Sequence, residues 1–222
     1  MIPWEFLAEA SVPGGETLKL SKRGEEFSIR VDGYELMNSR AHGSEEVLAQ
    51  EGIKRLKGDT PKKILIGGLG MGYTLRAALD AAGEEDTITV AELVPELVEW
   101  NRNHYGHLAG HPLNDPRTKV FVGDVGDAMA QGPWDAILLD VDNGPDGLTR
   151  SENSSLYSRQ GLLKAKGHLA PGGILGVWSA HDDPAFTSRL KKCNMKVDIV
   201  RIKARIKRGS RHTLWYAGSQ MI

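Results

Sequence analysis

The run Ile64-Leu65-Ile66-Gly67-Gly68-Leu69-Gly70-Met71-Gly72 decides the fold. An apolar strand runs into glycines and then into a helical pattern over 73–82 that stops at Gly83. Glycine is needed where a chain turns tightly and a ligand must approach bare backbone. The helix start adds unpaired N–H groups and a partial positive charge. Gly68, Gly70 and Gly72 give a GxGxG spacing; a dinucleotide loop of the GxGxxG kind needs glycine at 73, where this chain has Tyr73. That departure counts against NAD.

Downstream of the loop, strand and helix patterns alternate. Strands are expected over 63–66, 87–90, 119–122, 135–139 and 173–178. Helices are expected over 95–105, 159–169 and 184–192, the second ended by Pro171-Gly172-Gly173. Such alternation means βαβ units and a parallel sheet with helices on both faces. Two last strand patterns, 196–206 and 212–217, have only 207–211 between them, too short for a parallel crossover, so they pair antiparallel. The result is an α/β, Rossmann-like fold whose mostly parallel seven-stranded sheet ends in an antiparallel hairpin. It resembles the sheet of the class I methyltransferases. Upstream, strand patterns over 17–20, 26–31 and 34–37 are separated by Gly24 and by Asp32-Gly33, a hairpin signal. A helix pattern over 45–57 follows, weakened by Gly52. The expected division is a small β-hairpin region, 1–45, and a nucleoside-binding region, 46–222.

Composition sets outer bounds. The 222 residues carry a formal net charge of −1, which argues against a general nucleic-acid coat. No apolar run approaches the ~20 residues of a membrane span, and residues 1–15 lack a secretory pattern, so the cytoplasm is the expected location. The single cysteine, Cys193, forms no internal disulfide. His104, His107 and His111 are interrupted by Gly106, Gly110 and Pro112, so no shared face and no metal site are expected.

Acidic side chains follow the strands. Glu92 lies about 20 residues beyond the glycines, where a carboxylate accepts hydrogen bonds from ribose hydroxyls. Asp124 follows the third strand of the series and suits an adenine amino group or a helix N-cap. Asp140 follows the fourth. Open α/β sheets bind ligands beyond the carboxyl ends of their strands, so Gly67, Gly68, Gly70, Gly72, Glu92, Asp124 and Asp140 should share one edge. Clustered carboxylates there suit a cation such as a sulfonium or an amine.

These residues resemble the spermidine synthase (polyamine aminopropyltransferase) family. The glycine loop matches that family's GGGDGG loop in place and length. Gly123-Asp124 with Met129 matches its Gly-Asp-x4-Met segment, and Asp140 with Gly144-Pro145 matches its Asp-x-x-Asp-Pro loop and closing Gly-Pro. Residues 33–40 and Glu45-Glu46 sit where the family has a strand end and a Tyr-Gln-Glu segment, and Leu156-Tyr157 resembles a Leu-Phe/Tyr pair. The resemblance implies decarboxylated S-adenosylmethionine as donor of an aminopropyl group to an amine. Glu92 would hold the ribose, Asp124 the adenine, and Asp140 would take the proton of the attacking amine. It also implies a homodimer. The chain departs from the family at three places: Gly70 stands where the loop has an aspartate that grips the donor's amino group, the Asp-x-x-Asp-Pro loop is shortened to Asp140-Val141-Asp142-Asn143, and Ser44-Glu45 replaces Tyr-Gln.

Asp142, Asn143, Tyr157 and Trp178 are the expected acceptor-side residues, the two aromatics being equally suited to plain packing. His181 offers a base for a methyl acceptor, with a polar loop as its plainer role. Arg201, Lys203, Arg205 and Lys207 form one basic face of a strand, solvated or salt-bridged before anything phosphate-binding. Two other functions compete: methyl transfer from S-adenosylmethionine to a small molecule, which Gly70 favours, and nucleoside binding without catalysis.

Overall fold

A computed structural model describes residues 2–12, 15–141, 153–203 and 211–219. The expected residues Asp142, Asn143, Gly144, Pro145, Arg205 and Lys207 lie outside these.

The chain opens with β1 (Glu5–Ser11), β2 (Thr17–Arg23), β3 (Glu26–Val31) and β4 (Tyr34–Asn38), an antiparallel sheet in that order. The Asp32-Gly33 pair forms the two-residue turn its sequence implies: both have positive φ, 48° and 85°, and Val31 pairs with Tyr34 across it. Strand β1 was not foreseen. Of its residues only Ala10 is buried; Phe6, Ala8 and Ala10 give a short alternation broken by Leu7, and pairing with β2 completes the strand.

Next come α1 (Gly43–Lys54), β5 (Lys63–Gly67), α2 (Tyr73–Ala81), β6 (Thr87–Glu92), α3 (Pro95–Trp100), β7 (Thr118–Val122), α4 (Val125–Met129) and β8 (Trp134–Leu139). After them run α5 (Asn153–Leu156), α6 (Arg159–Gly167), β9 (Leu169–Ser179), α7 (Pro184–Lys192), β10 (Lys196–Lys203) and β11 (Arg211–Gly218). Among the described residues the second sheet has seven strands in the order β10-β11-β9-β8-β5-β6-β7. Strands β5 to β9 are mutually parallel, and β11 runs antiparallel between β9 and β10. This is the expected Rossmann-like arrangement with its closing hairpin.

Successive residues of a strand face opposite sides, and the core divides accordingly. Ile64 and Ile66 join Leu48, Leu75, Leu138 and Tyr216 under α1 and α2. Leu65 joins Ile137, Leu139, Val177, Phe186 and Trp215 under α6 and α7. A third core lies between the small sheet and the large one. There Phe27, Ile29 and Val31 meet Met71, Trp100 and Tyr105.

Several boundaries differ from the expected ones, among them the end of α1 at Lys54 rather than 57. The helix over 95–105 is α-helical only to Trp100 and continues as a wider π-type turn to Tyr105. Asn101 donates its side-chain amide to the Met71 carbonyl there, at 3.3 Å, which ties the turn to the glycine loop. Pro171-Gly172-Gly173 does not end α6; it lies within β9, where the pairing with β8 shifts between Trp134 and Ala136. Helix α1 carries Gly52 for a packing reason: a Cβ there would stand 2.8 Å from a Leu138 methyl, so glycine lets the helix lie close on the sheet.

Candidate functional site

Three backbone bonds tie the carboxyl ends of the central strands together. Gly68 N–H donates to Ala91, Gly123 N–H to Glu92 and Asp140 N–H to Gly67, each at 2.8 Å. The glycine loop, Glu92, Asp124 and Asp140 are thereby held along one edge. Gly68 has φ +90°, and a Cβ on it would lie 2.3 Å from the Asp140 carbonyl oxygen. No side chain fits at that position.

A cleft opens over this edge. Its floor includes Gly68, Gly70, Glu92, Asp124 and Asp140, and its roof includes Leu18, Val31 and Met37 of the small sheet. Gly67 and Gly72 do not line it. Gly67 ends β5 beneath it, and Gly72 starts α2.

Glu92 is buried, 6% exposed. Its oxygens accept the Leu69 and Val94 N–H groups, each at 3.0 Å. Burial raises its pKa, against the pull of those backbone donors. The carboxylate therefore braces the glycine loop as well as facing the cleft. Asp124 is exposed and caps α4 by accepting the Gly126 N–H at 2.6 Å.

Asp140 sits where two cavities meet. It lines the first cleft and also a smaller adjoining one, bounded by Leu36, Glu45, Gly70, Tyr73 and Trp178 among others. Thr74, in the first turn of α2, donates its hydroxyl to Asp140 at 2.5 Å. Burial pushes the Asp140 carboxyl up to about 6, with the Thr74 bond pulling the other way. Glu45, in the first turn of α1, is raised well above the usual carboxylate range by burial first, then by Asp140 and Glu46. Burial and the same glutamates push Tyr73 up to about 12.

Of the expected acceptor-side residues, Trp178 lines the adjoining cavity; Tyr157 lines neither cavity. Its ring meets Phe186 edge-on at 5.7 Å in the core beneath the sheet. The apolar need of that layer claims it. His181 is exposed, with its backbone N–H on the Ser179 hydroxyl, and lines neither cavity. Arg201 pairs with Asp182 at 2.9 Å. His107 packs edge-on against Phe27, 5.9 Å between centroids.

Glu45 and Tyr73 were not expected at the site. Tyr73 was read only as the residue that spoils a dinucleotide loop. Glu45 was seen as a place where the resemblance fails. The available signal was an acidic residue opening a helix beside the strand edge, which is also what ordinary helix starts show.

No protein-family model matches this sequence. Over 138 residues, 60% of the chain, it is 33% identical to polyamine aminopropyltransferase 2 of Pseudomonas aeruginosa, covering 37% of that protein. Over 118 residues, 52% of the chain, it is 32% identical to putrescine N-methyltransferase 1 of Nicotiana tabacum, covering 30% of it. The chain thus spans about a third of the length of these curated relatives. Its fold matches the crystal structure of spermidine synthase from Thermotoga maritima with a TM-score of 0.76 at 15% identity, over 98% of this chain and 74% of that one. A spermidine synthase bound to the transition-state analogue AdoDATO matches with a TM-score of 0.79 at 16% identity and the same coverages. The fold is therefore similar to that of spermidine synthases, and over about half of the chain the sequence is similar both to aminopropyltransferases and to putrescine N-methyltransferases.

Proposed function

We propose that the chain transfers an aminopropyl group from decarboxylated S-adenosylmethionine to an amine. The observation that carries this reading is the position of Asp140, which borders both cavities at once. The nucleoside takes the larger cleft and the acceptor amine the smaller. Their reacting atoms meet beside a carboxylate whose pKa is lifted toward neutrality.

The donor set fits a cationic nucleoside. The bare backbone of Gly68 admits close approach, and each Glu92 oxygen has a second lone pair for a ribose hydroxyl. One Asp124 oxygen caps α4 and leaves the other for the adenine amino group. The sulfonium supplies an electrophilic carbon and a neutral thioether as leaving group. The acceptor nitrogen forms a bond to that carbon, the C–S bond breaks, and its electron pair returns to sulfur. Asp140 takes the proton released by the nitrogen. A protonated amine has no lone pair for attack, so a nearby base is required. Holding both reactants in adjoining cavities supplies the alignment.

A second reading is methyl transfer to an amine from intact S-adenosylmethionine. Gly70 gives the loop no side chain for the donor's amino group, and a putrescine N-methyltransferase is among the relatives. Incubating the protein with putrescine and each donor, then weighing the products by mass spectrometry, decides between them. Aminopropyl addition with the decarboxylated donor is expected. Methyl addition alone selects the second reading, and no product with either donor sinks both.

The same reading takes the chain as a cytoplasmic homodimer with units at 1–45 and 46–222; sedimentation of the free protein checks the dimer. Among the described residues no helix is long and apolar enough to cross a membrane.

A further inference from the structure

Glu45 and Asp140 are two like charges in one small cavity. Free carboxylates would move apart, because their repulsion grows as water is excluded. Here neither is free to do so. Thr74 and the bond from Asp140 N–H to Gly67 fix one. The other is fixed through its neighbour Ser44, which is buried at the start of α1. The Trp178 indole N–H can only donate, so Ser44 Oγ accepts from it at 2.9 Å. The Ser44 hydroxyl proton is then left for His212 Nδ1, 2.7 Å away. Strands β9 and β11 thus pin the first turn of α1. Within the described residues, the Glu45 carboxylate has no hydrogen-bond or ion-pair partner, whereas Glu46 beside it pairs with His42 at 2.6 Å. An unpartnered carboxylate on a pinned helix turn, in one cavity with a second carboxylate, is arranged for a cation that approaches from the cavity.

We propose that Glu45 and Asp140 form a two-carboxylate seat for one primary ammonium group, with Glu45 a specificity-determining residue of the transfer site. An ammonium nitrogen has three protons and meets two carboxylates at once. Trp178 and Tyr73 line the same cavity and supply walls for the attached alkyl chain. A ligand that carries its own carboxylate beside the amine is repelled. The inference rests on the transferase reading above. The ammonium has two sources in that reaction: the donor's aminopropyl end, for which the loop offers only Gly70, or the acceptor.

Calorimetry on wild type and Glu45→Gln with three probes tests this. The probes are 5′-methylthioadenosine, which lacks the ammonium; decarboxylated S-adenosylmethionine; and putrescine added to the methylthioadenosine complex. Glutamine keeps the shape and removes the charge. The expected result is unchanged methylthioadenosine affinity, which also certifies the fold, with at least about a tenfold loss for one ammonium-bearing probe. Loss for the sulfonium donor assigns the seat to the donor, and loss for putrescine to the acceptor. Should Glu45→Gln not fold, Glu45→Asp, with its shortened reach, is expected to lose affinity for the same probe. Equal affinities in wild type and variant for all three probes overturn the seat and leave the transferase reading standing. If wild type itself binds no methylthioadenosine, the transferase reading falls first and takes the seat with it.

Discussion

At the scale of one residue, Asp140 links stability to chemistry. Its carboxyl has an ordinary value of 3.8 and stands at about 6 in the folded chain. Over that interval the folded state holds the proton more tightly, so stability falls as pH rises through about 6 and stays lowered above it. Asparagine keeps an oxygen for the Thr74 hydroxyl and removes the charge. Denaturant unfolding of Asp140→Asn is therefore expected to show a gain of about 1–2 kcal/mol at pH 8 that shrinks toward pH 4. Transfer should meanwhile drop by roughly a hundredfold or more, with nucleoside affinity kept. A variant no more stable at high pH contradicts the assigned burial. Loss of nucleoside binding gives Asp140 a different role. The same titration sets the rate profile. Only the ionised carboxylate accepts the proton, so kcat/KM of the wild type should fall on an acid limb near pH 6, and that limb should vanish in the residual activity of the variant.

At the scale of elements, the strand–loop–helix unit around Gly68 is the most constrained part of the chain. Alanine there meets the Asp140 carbonyl at 2.3 Å with φ at +90°. Gly70 has φ +49°, and an added Cβ meets only the Met37 side chain, at 3.4 Å. Gly68→Ala should thus cost at least about 2 kcal/mol and most of the nucleoside affinity, while Gly70→Ala costs about 1 kcal/mol of backbone strain. Thermal melts with and without nucleoside compare the two, and equal effects would mean that the strand-edge contact is not what fixes the loop. This asymmetry also shows what a sequence carries. The glycine spacing, the β-branched strands and the short link before the last strand are local patterns, and they led to the sheet and to its ligand edge. Strand β1 has only a short, broken alternation, which pairing with β2 completes. Glu45 stands out in the sequence only as a departure from the family pattern, because its meaning lies in Asp140, nearly a hundred positions away. Tyr157 was open to two readings since an aromatic beside a ligand loop and one beneath it look alike in sequence; only the position of Phe186 separates them.

At the scale of the whole molecule, the cleft over the glycine loop has a floor from the large sheet and a roof from the small one. Neither sheet makes the site alone. The joint between them is apolar: Phe27 is 2% exposed and its ring meets Tyr105 at 6.1 Å, while Tyr105 donates its hydroxyl to the Leu97 carbonyl at 3.2 Å. Truncating a buried phenylalanine to alanine costs about 3–5 kcal/mol, a large share of the 5–15 kcal/mol typical of a whole domain. If the joint couples the sheets, Phe27→Ala should lower one shared unfolding midpoint and weaken nucleoside binding together, although Phe27 itself does not line the cleft. Circular dichroism follows both sheets, and fluorescence follows the five tryptophans, among them Trp100 at the joint and Trp215 in the opposite layer. Coincident transitions are expected from the two probes. Separate transitions, with an early loss confined to the small sheet and nucleoside affinity intact, would show that the roof is dispensable and that the ligand edge of the large sheet suffices by itself.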